Sequence, residues 1–184
     1  RSWVPIVFVP VMVYAKYMDV PIPTGRIVPA VHGYHLVLPR SLPVDLHEAW
    51  KSITESQYTA RWIGQWEGHG AVGETARLQL GFEEGQPWTS FRITACESPR
   101  WLRVATLDAQ EHTAWDLSLE LSGTTAPTEL LFKMYRIDPS SVGEIGPGWE
   151  YYLDQLVLSL TGAPLPDFTD YYPAQREYFQ SQVR

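Results

Sequence analysis

The segment GPGWEYYLDQLVLSLTG, residues 146–162, constrains the fold of this chain more than any other stretch. Its bulky residues recur at the i, i+3, i+4, i+7, i+8 and i+11 spacing of one helix face, and they are Trp149, Tyr152, Leu153, Leu156, Val157 and Leu160. Glu150 and Asp154 occupy the opposite side, which predicts that both face solvent. The segment is therefore expected to be a long amphipathic helix that packs against a large apolar surface.

Residues 76–137 can supply that surface, because apolar and polar side chains alternate there with a period of two. In TAWDLSLELSG, the cleanest case, the apolar positions are Trp115, Leu117, Leu119 and Leu121. Short, turn-rich connections separate the alternating runs, as in antiparallel meanders. These features predict a sheet of about five consecutive antiparallel strands with one apolar face.

Two short helices are predicted between a first strand and this meander. AVHGYHLVLPRSL alternates well enough for a strand that ends near Arg40. Asp45 and Glu48 form a D-x-x-E capping pair at the start of PVDLHEAWKSI, and Gly64 stops the second helix in SQYTARWIG. A strand, two small helices, consecutive antiparallel strands and one long helix make an α+β order, in which the last helix covers a curved sheet.

Residues 1–29 are interpreted as an N-terminal extension. Their apolar run WVPIVFVPVMVYA is too short for a transmembrane helix and is interrupted by Pro5 and Pro10. It also lacks the small-residue cleavage site of a secretory signal. A flexible tail, or sequence upstream of a natural start such as Met18, is favoured over an extra strand on a sheet edge.

Residues 30–162 are predicted to form one domain, for which a 184-residue chain with 45% hydrophobic residues is sufficient. Residues 163–184 follow as an aromatic-rich tail. Tyr151 and Leu158 lie on the outer face of the predicted helix, so we expect the tail to fold back over them. A dimer contact would bury the same two residues, which leaves a monomer and a homodimer both open.

The charge of the chain excludes some classes of partner. A net charge of −7 argues against nucleic acid, whose phosphates require clustered Lys and Arg. No basic run indicates a polybasic membrane patch, and no membrane insertion is expected. The single cysteine, Cys96, forms no internal disulfide and fits a reducing compartment, so a cytoplasmic location is predicted.

Motifs for catalysis, metals and cofactors are missing from the sequence. There is no G-x-S-x-G elbow, and GHGAVGE lacks the Lys-Ser/Thr ending of a phosphate loop. His32 and His35 would point to opposite faces of a strand, so no metal site is predicted. Cys96 falls on the polar face of its strand with Arg92 and Thr94, and is interpreted as a bystander thiol. No catalytic residue and no cofactor are predicted.

Two separated motifs resemble those of proteins like the activator of heat shock protein 90 ATPase homologue. RSLPVDLHEAWKSITESQYTARWIG is similar to the opening of that family and GPGWEYYLDQL to its closing helix; the matching residues are Trp50, Arg61, Trp62, Gly64, Gly148, Trp149, Leu153 and Leu156. The resemblance covers about residues 30–162. It implies the START-like (Bet v-like) helix-grip fold of the SRPBCC superfamily, in which a curved antiparallel sheet wraps the C-terminal helix and often leaves a cavity.

Such a cavity would be lined by the second short helix, the strands and the long helix. The candidate ligand-binding residues are Trp62, Trp66, Trp88, Phe91, Met134, Trp149, Tyr152 and Leu156. A filled core is the alternative interpretation of the same aromatics. A cavity would additionally need a few polar groups aimed inward.

Arg136 is ambiguous. It shares a strand face with Phe132 and Met134, and if that face points inward, Arg136 would be a buried cation suited to an anionic ligand group. If Leu131, Tyr135 and Ile137 point inward instead, Arg136 lies at the surface, and this second arrangement is preferred.

The leading functional hypothesis is non-catalytic binding of a small hydrophobic or amphipathic ligand between sheet and C-terminal helix. An enzyme resembling polyketide cyclases or aromatases is one alternative, because positioning alone can promote reaction of a flexible chain. A chaperone-associated interaction module is another. The superfamily includes lipid carriers, cyclases and co-chaperone domains, so the fold leaves these functions open.

Overall fold

The structure is a computed structural model that describes residues 20–183. Its strands are β1 (Arg26–Pro29), β2 (Tyr34–Leu42), β3 (Trp66–Gly68), β4 (Thr75–Gln79), β5 (Trp88–Glu97), β6 (Trp101–Leu107), β7 (Thr113–Ser122) and β8 (Thr128–Ile137). Its helices are α1 (Leu46–Thr54), α2 (Ser56–Thr59), α3 (Val142–Thr161) and α4 (Arg176–Gln180). The apolar run WVPIVFVPVMVYA falls outside the described residues.

The eight strands form one curved antiparallel sheet in the order β1-β2-β8-β7-β6-β5-β4-β3. Strands β3 to β8 follow one another as a meander, while β2 crosses over to pair with β8. Helices α1 and α2 lie in that crossover, and α3 follows β8 and packs across the sheet. The predicted α+β class and helix-grip architecture are confirmed.

Local signals in the sequence account for the ends of the short helices. The Asp45 carboxylate caps α1 by accepting a hydrogen bond from the Glu48 amide at 3.0 Å, as predicted. Gly64 ends the turn after α2 with φ of +153°. A Cβ at Gly64 would lie 1.6 Å from the Gln79 carbonyl oxygen, so only glycine permits this crossing of β4.

Helix α3 supplies the buried stripe that the sequence predicted. Leu153 and Leu156 are fully buried, and the Trp149 ring lies 4.3 Å from the Phe132 ring on β8. The helix begins at Val142, four residues before the predicted start, and ends at Gly162, whose φ of +70° is the left-handed conformation of a C-cap. The sheet and α3 thus enclose the core between them.

The predicted solvent exposure of Glu150 is wrong. Its side chain is 1% exposed; it pairs with the Arg40 guanidinium and accepts hydrogen bonds from the Thr24 and Gly25 amides at 2.6 Å each. Asp154, one turn on, accepts from Arg40 Nε at 2.8 Å and is 28% exposed. These partners come from β2 and from the segment before β1, so a helix pattern alone does not reveal them.

The sheet also begins earlier than the predicted domain boundary at residue 30. β1 pairs with β2 from Arg26 to Pro29, and Gly25 lies so close to the Phe179 ring that a Cβ there would be 2.8 Å away. The interpretation of residues 1–29 as a single extension is therefore corrected: its last residues belong to the folded unit. The short β1 run carries too few alternating positions to show this in the sequence.

The residues after α3 pack back onto that helix. Tyr171 and Phe179 are buried, and α4 lies against α3. The Tyr151 ring contacts the rings of Phe168 and Tyr171 at 5.3 and 5.5 Å. The tail therefore covers the Tyr151 side of α3 within this one chain.

A β-bulge settles the position of Arg136. Strand β8 carries one residue more than β2 between the pairs Leu36–Met134 and Tyr34–Ile137, and Arg136 has φ of +53°. The bulge resets the alternation, so Met134 and Ile137 are both buried while the Arg136 side chain is 64% exposed. Arg136 is a surface residue, although neither predicted face pattern was right over the whole strand.

Candidate ligand cavity

A cavity of about 1060 Å³ lies between the apolar face of the sheet and α3. Residues of α1, of the α2–β3 turn, of strands β4 to β8 and of α3 line it. Cavities that bind small molecules typically measure about 300–1000 Å³. The core is therefore not filled on this side of α3, and the space is large enough for a molecule of considerable size.

Five of the eight predicted residues line the cavity: Trp62, Trp66, Phe91, Trp149 and Tyr152. Wall residues outside the predicted ligand-binding set include Trp50, which the motif comparison named, and Ile53, Ile63, Leu78, Phe82 and Thr89. Their alternation and helical spacing marked them as buried, but a spacing does not distinguish a cavity wall from a packed core.

The other three predicted residues do not line the cavity. Met134 and Leu156 are buried in the adjoining core. Trp88 is 37% exposed and lies under the Arg77 guanidinium, 4.8 Å from the ring centre. Thr89 and Phe91 line the cavity, so the two-residue period of β5 places Trp88 on the opposite face.

The aromatic wall is held in place by hydrogen bonds to the backbone. Trp62 Nε1 donates to the Ser52 carbonyl at 2.9 Å, and Trp66 Nε1 donates to the Thr54 carbonyl at 3.0 Å. Both indole N–H groups are thus satisfied by α1, so the ring surfaces are available for apolar contact.

Gly148 lines the cavity, although the predicted ligand-binding set did not include it. Helix α3 presents two rows to the cavity, with Ile145 and Trp149 in one and Glu144, Gly148 and Tyr152 in the other; Ser141, just before the helix, extends the first row. A Cβ placed on Gly148 would meet no described atom within 4 Å. The available signal was a glycine four residues before Tyr152, inside a helix that otherwise carries bulky residues on this side.

Cys96 also requires a correction. The alternation of β5 placed it with Arg92 and Thr94, but it lines the cavity. The register between β5 and β6 skips one residue between Ile93 and Ala95, and this bulge turns the following side chains to the other face. Its thiol is free and exposed.

The charged residues on the cavity wall are all acidic. Among residues 20–183, the charged side chains that line it are Glu83 and Glu144, and no lysine, arginine or histidine does so. The Tyr152 hydroxyl donates to Glu83 Oε1 at 2.5 Å. Burial, reinforced by this hydrogen bond, raises the pKa of the Tyr152 phenol well above its usual range. The phenol therefore stays protonated and acts as a donor at neutral pH.

The described part of the chain contains neither a metal site nor a membrane-spanning helix. Residues 20–183 bring no three His, Cys, Asp or Glu side chains into an arrangement that could hold a metal ion. None of the helices in that range has the length and apolar character needed to cross a membrane.

Comparison with known proteins identifies the fold. No protein-family model matches the sequence, and no curated protein matches it. CalU16 from Micromonospora echinospora has a similar structure, with a TM-score of 0.68 and 22% identity over 87% of this chain and 94% of CalU16. DynU16, from the dynemicin biosynthetic locus, gives a TM-score of 0.58 and 19% identity over 76% of this chain and 50% of DynU16.

The Aha1 dimer from Colwellia psychrerythraea is similar as well, with a TM-score of 0.58 and 14% identity over 68% of this chain and 95% of the Aha1 chain. At these identities the likeness establishes the helix-grip fold. It does not select the heat shock protein 90 activator-like family over the other proteins that share this fold.

Proposed function

We propose that the protein binds a small hydrophobic or amphipathic molecule in the cavity between the sheet and α3, without converting it to a product. The observation that carries this proposal is the unfilled volume of about 1060 Å³ beside a close-packed core. A cleft of this size that is lined mainly by apolar side chains leaves hydrophobic surface in contact with water, so it needs an explanation. An apolar guest would bury surface there that the protein alone leaves uncovered.

The chemistry of the wall supports a guest with rings or a long apolar body. Trp62, Trp66, Phe91 and Trp149 offer aromatic surfaces, and the few polar groups are hydroxyls and carboxylates. The fold is shared with DynU16, a protein of a biosynthetic locus, which is compatible with a ligand made by such a locus. We also propose a cytoplasmic protein, monomeric or homodimeric.

An enzyme of the cyclase or aromatase type is the second candidate function. The observation in its favour is the Tyr152–Glu83 pair on the cavity wall, since a protonated phenol can stabilise developing charge on a substrate oxygen. Mass spectrometry of a bound ligand after prolonged incubation separates the two functions: unchanged ligand favours binding, and a new product favours the enzyme. The chaperone-associated role stays a prediction for which recovery of an ATPase partner is the test.

At Gly148, a bulky side chain can be placed inside the cavity without displacing a wall residue. We expect fatty alcohols, sterols or aromatic polyketides to raise the melting temperature of the protein by roughly 5–10 °C at about 100 times their Kd. Gly148→Phe should reduce this shift markedly, because its ring would occupy part of the ligand's space. Gly148→Ala, the matched control, adds only a methyl group and should keep the shift.

Two results would count against the proposal. If no ligand class stabilises the wild-type protein, the cavity has no guest among the chemistries that its walls favour. If folded Gly148→Phe protein binds as well as Gly148→Ala protein, the guest lies elsewhere.

A further inference from the structure

We propose that the ligand ends in a hydroxyl or, preferably, a protonated amine, and that it carries no carboxylate, phosphate or sulfate group. This inference rests on the proposed function, because it describes the occupant of the same cavity. It concerns the charge of the ligand's end group, which depends on the charged residues of the wall and not on the apolar character of the cavity.

An anionic end group has no cationic partner among the described residues of this wall. Glu83 and Glu144 are the charged side chains that line the cavity in the described part of the chain. A carboxylate or phosphate that left water here would lose its hydration and gain no Arg or Lys contact in return. Both glutamates would in addition repel it. A fatty acid is therefore a poorer fit than the alcohol or amine of the same length.

The nearby cations do not alter this balance. Arg176 lies 3.8 Å from Glu144, but it is exposed and outside the cavity wall. Arg103 and Arg136 pair with Asp116 on the opposite face of the sheet, at 2.7 and 3.7 Å. Arg103 and Arg136 therefore lie away from the side on which a ligand would bind, whereas Arg176 offsets part of the Glu144 charge. Glu83, which pairs with none of these three arginines, is the carboxylate that weighs most against an anion.

Glu83 marks where the polar end would lie. It sits in the exposed turn between β4 and β5, and Tyr152 occupies one of its oxygens. A carboxylate has about four acceptor positions, so Glu83 retains capacity for a donor from a ligand. The wall residues Phe82 and Phe168, which are 37% and 42% exposed, place the mouth of the cavity near this turn.

The deep end is apolar. Trp62 and Trp149 are almost fully buried, and Trp62 Nε1 already donates to the Ser52 carbonyl. A ligand would therefore enter with its apolar body toward these indoles and leave its donor group beside Glu83 and Tyr152. This orientation places the ligand's donor beside an exposed carboxylate and leaves no ligand charge buried without a partner.

The test uses three fluorescent probes with one apolar body: pyrenemethylamine, pyrenemethanol and pyrenecarboxylate. We expect the amine to bind tightest and the carboxylate weakest, with the two Kd values about tenfold apart at low ionic strength. Added salt should narrow that gap, since the mouth is exposed. Glu83→Gln should remove most of the amine's advantage over the alcohol and leave the Kd of the alcohol nearly unchanged.

Glu84→Gln is the matched control, because Glu84 is the next residue of the same turn and does not line the cavity. An equal loss of amine binding in both variants would contradict the role given to Glu83. Carboxylate binding as tight as amine binding would overturn the inference and leave cavity binding intact. Failure of all three probes to bind would instead contradict the proposed function itself.

Discussion

The carboxylate of Glu150 joins three separate parts of the chain at one point. It pairs with Arg40 on β2, and it accepts hydrogen bonds from the amides of Thr24 and Gly25 ahead of β1. Because Glu150 is 1% exposed, only these partners compensate for the removal of its charge from water. This one residue fixes α3 to the first strands of the sheet.

Glu150→Gln should therefore lower the free energy of unfolding by about 3 kcal/mol, since Arg40 would keep a buried charge with less compensation. Asp154→Asn removes the other carboxylate that contacts Arg40, but Asp154 is 28% exposed, so the expected loss is only about 1 kcal/mol. Urea denaturation of both variants measures the difference. A larger loss for Asp154→Asn would contradict this ranking.

At the scale of the elements, α3 serves two purposes on two sides. Gly146 faces the tail, where a Cβ would lie 2.4 Å from the Phe179 ring, while Gly148 faces the open cavity. One glycine permits close packing of the tail, and the other leaves room for a guest. Helix α3 therefore has the closely packed tail on one side and the open cavity on the other.

This difference predicts opposite effects of the same substitution. Gly148→Ala should raise the free energy of unfolding by up to about 1 kcal/mol, because alanine favours the helix and meets no neighbour. Gly146→Ala should lower it by about 1–3 kcal/mol, because the ring of Phe179 must move. Thermal and urea unfolding of the two variants compare them directly. Equal effects would mean that the two sides of α3 are packed alike.

The elements also show where sequence patterns suffice. The apolar stripe of α3, the Asp45 cap and the two-residue period of β7 follow from local spacing, and each was predictable. The bulges near Ala95 and Arg136 were not, because one extra residue in a strand changes neither composition nor local propensity. Each bulge reverses the face of the residues after it, which explains the misplacement of Cys96.

At the scale of the whole molecule, the order of elements and the two motifs were enough to predict the helix-grip fold. The existence and size of the cavity could not be predicted from the sequence, because the volume depends on how all the wall side chains pack in three dimensions. The exclusion of Trp88, Met134 and Leu156 from the wall illustrates this. All three have the right chemistry. The two-residue period of β5 separates Trp88 from the wall, whereas only their positions in three dimensions separate Met134 and Leu156 from Trp149.

The central claim, that a guest occupies the space between the sheet and α3, is tested most directly by fluorine NMR of protein labelled with 5-fluorotryptophan. Each resonance is assigned by a single Trp→Phe substitution, and the protein is titrated with pyrenemethanol. Five tryptophans line the cavity, and we predict that their resonances shift on binding while that of Trp88 does not: Trp50, Trp62, Trp66, Trp115 and Trp149. A shift confined to Trp88, with the five cavity resonances unchanged, would contradict the account.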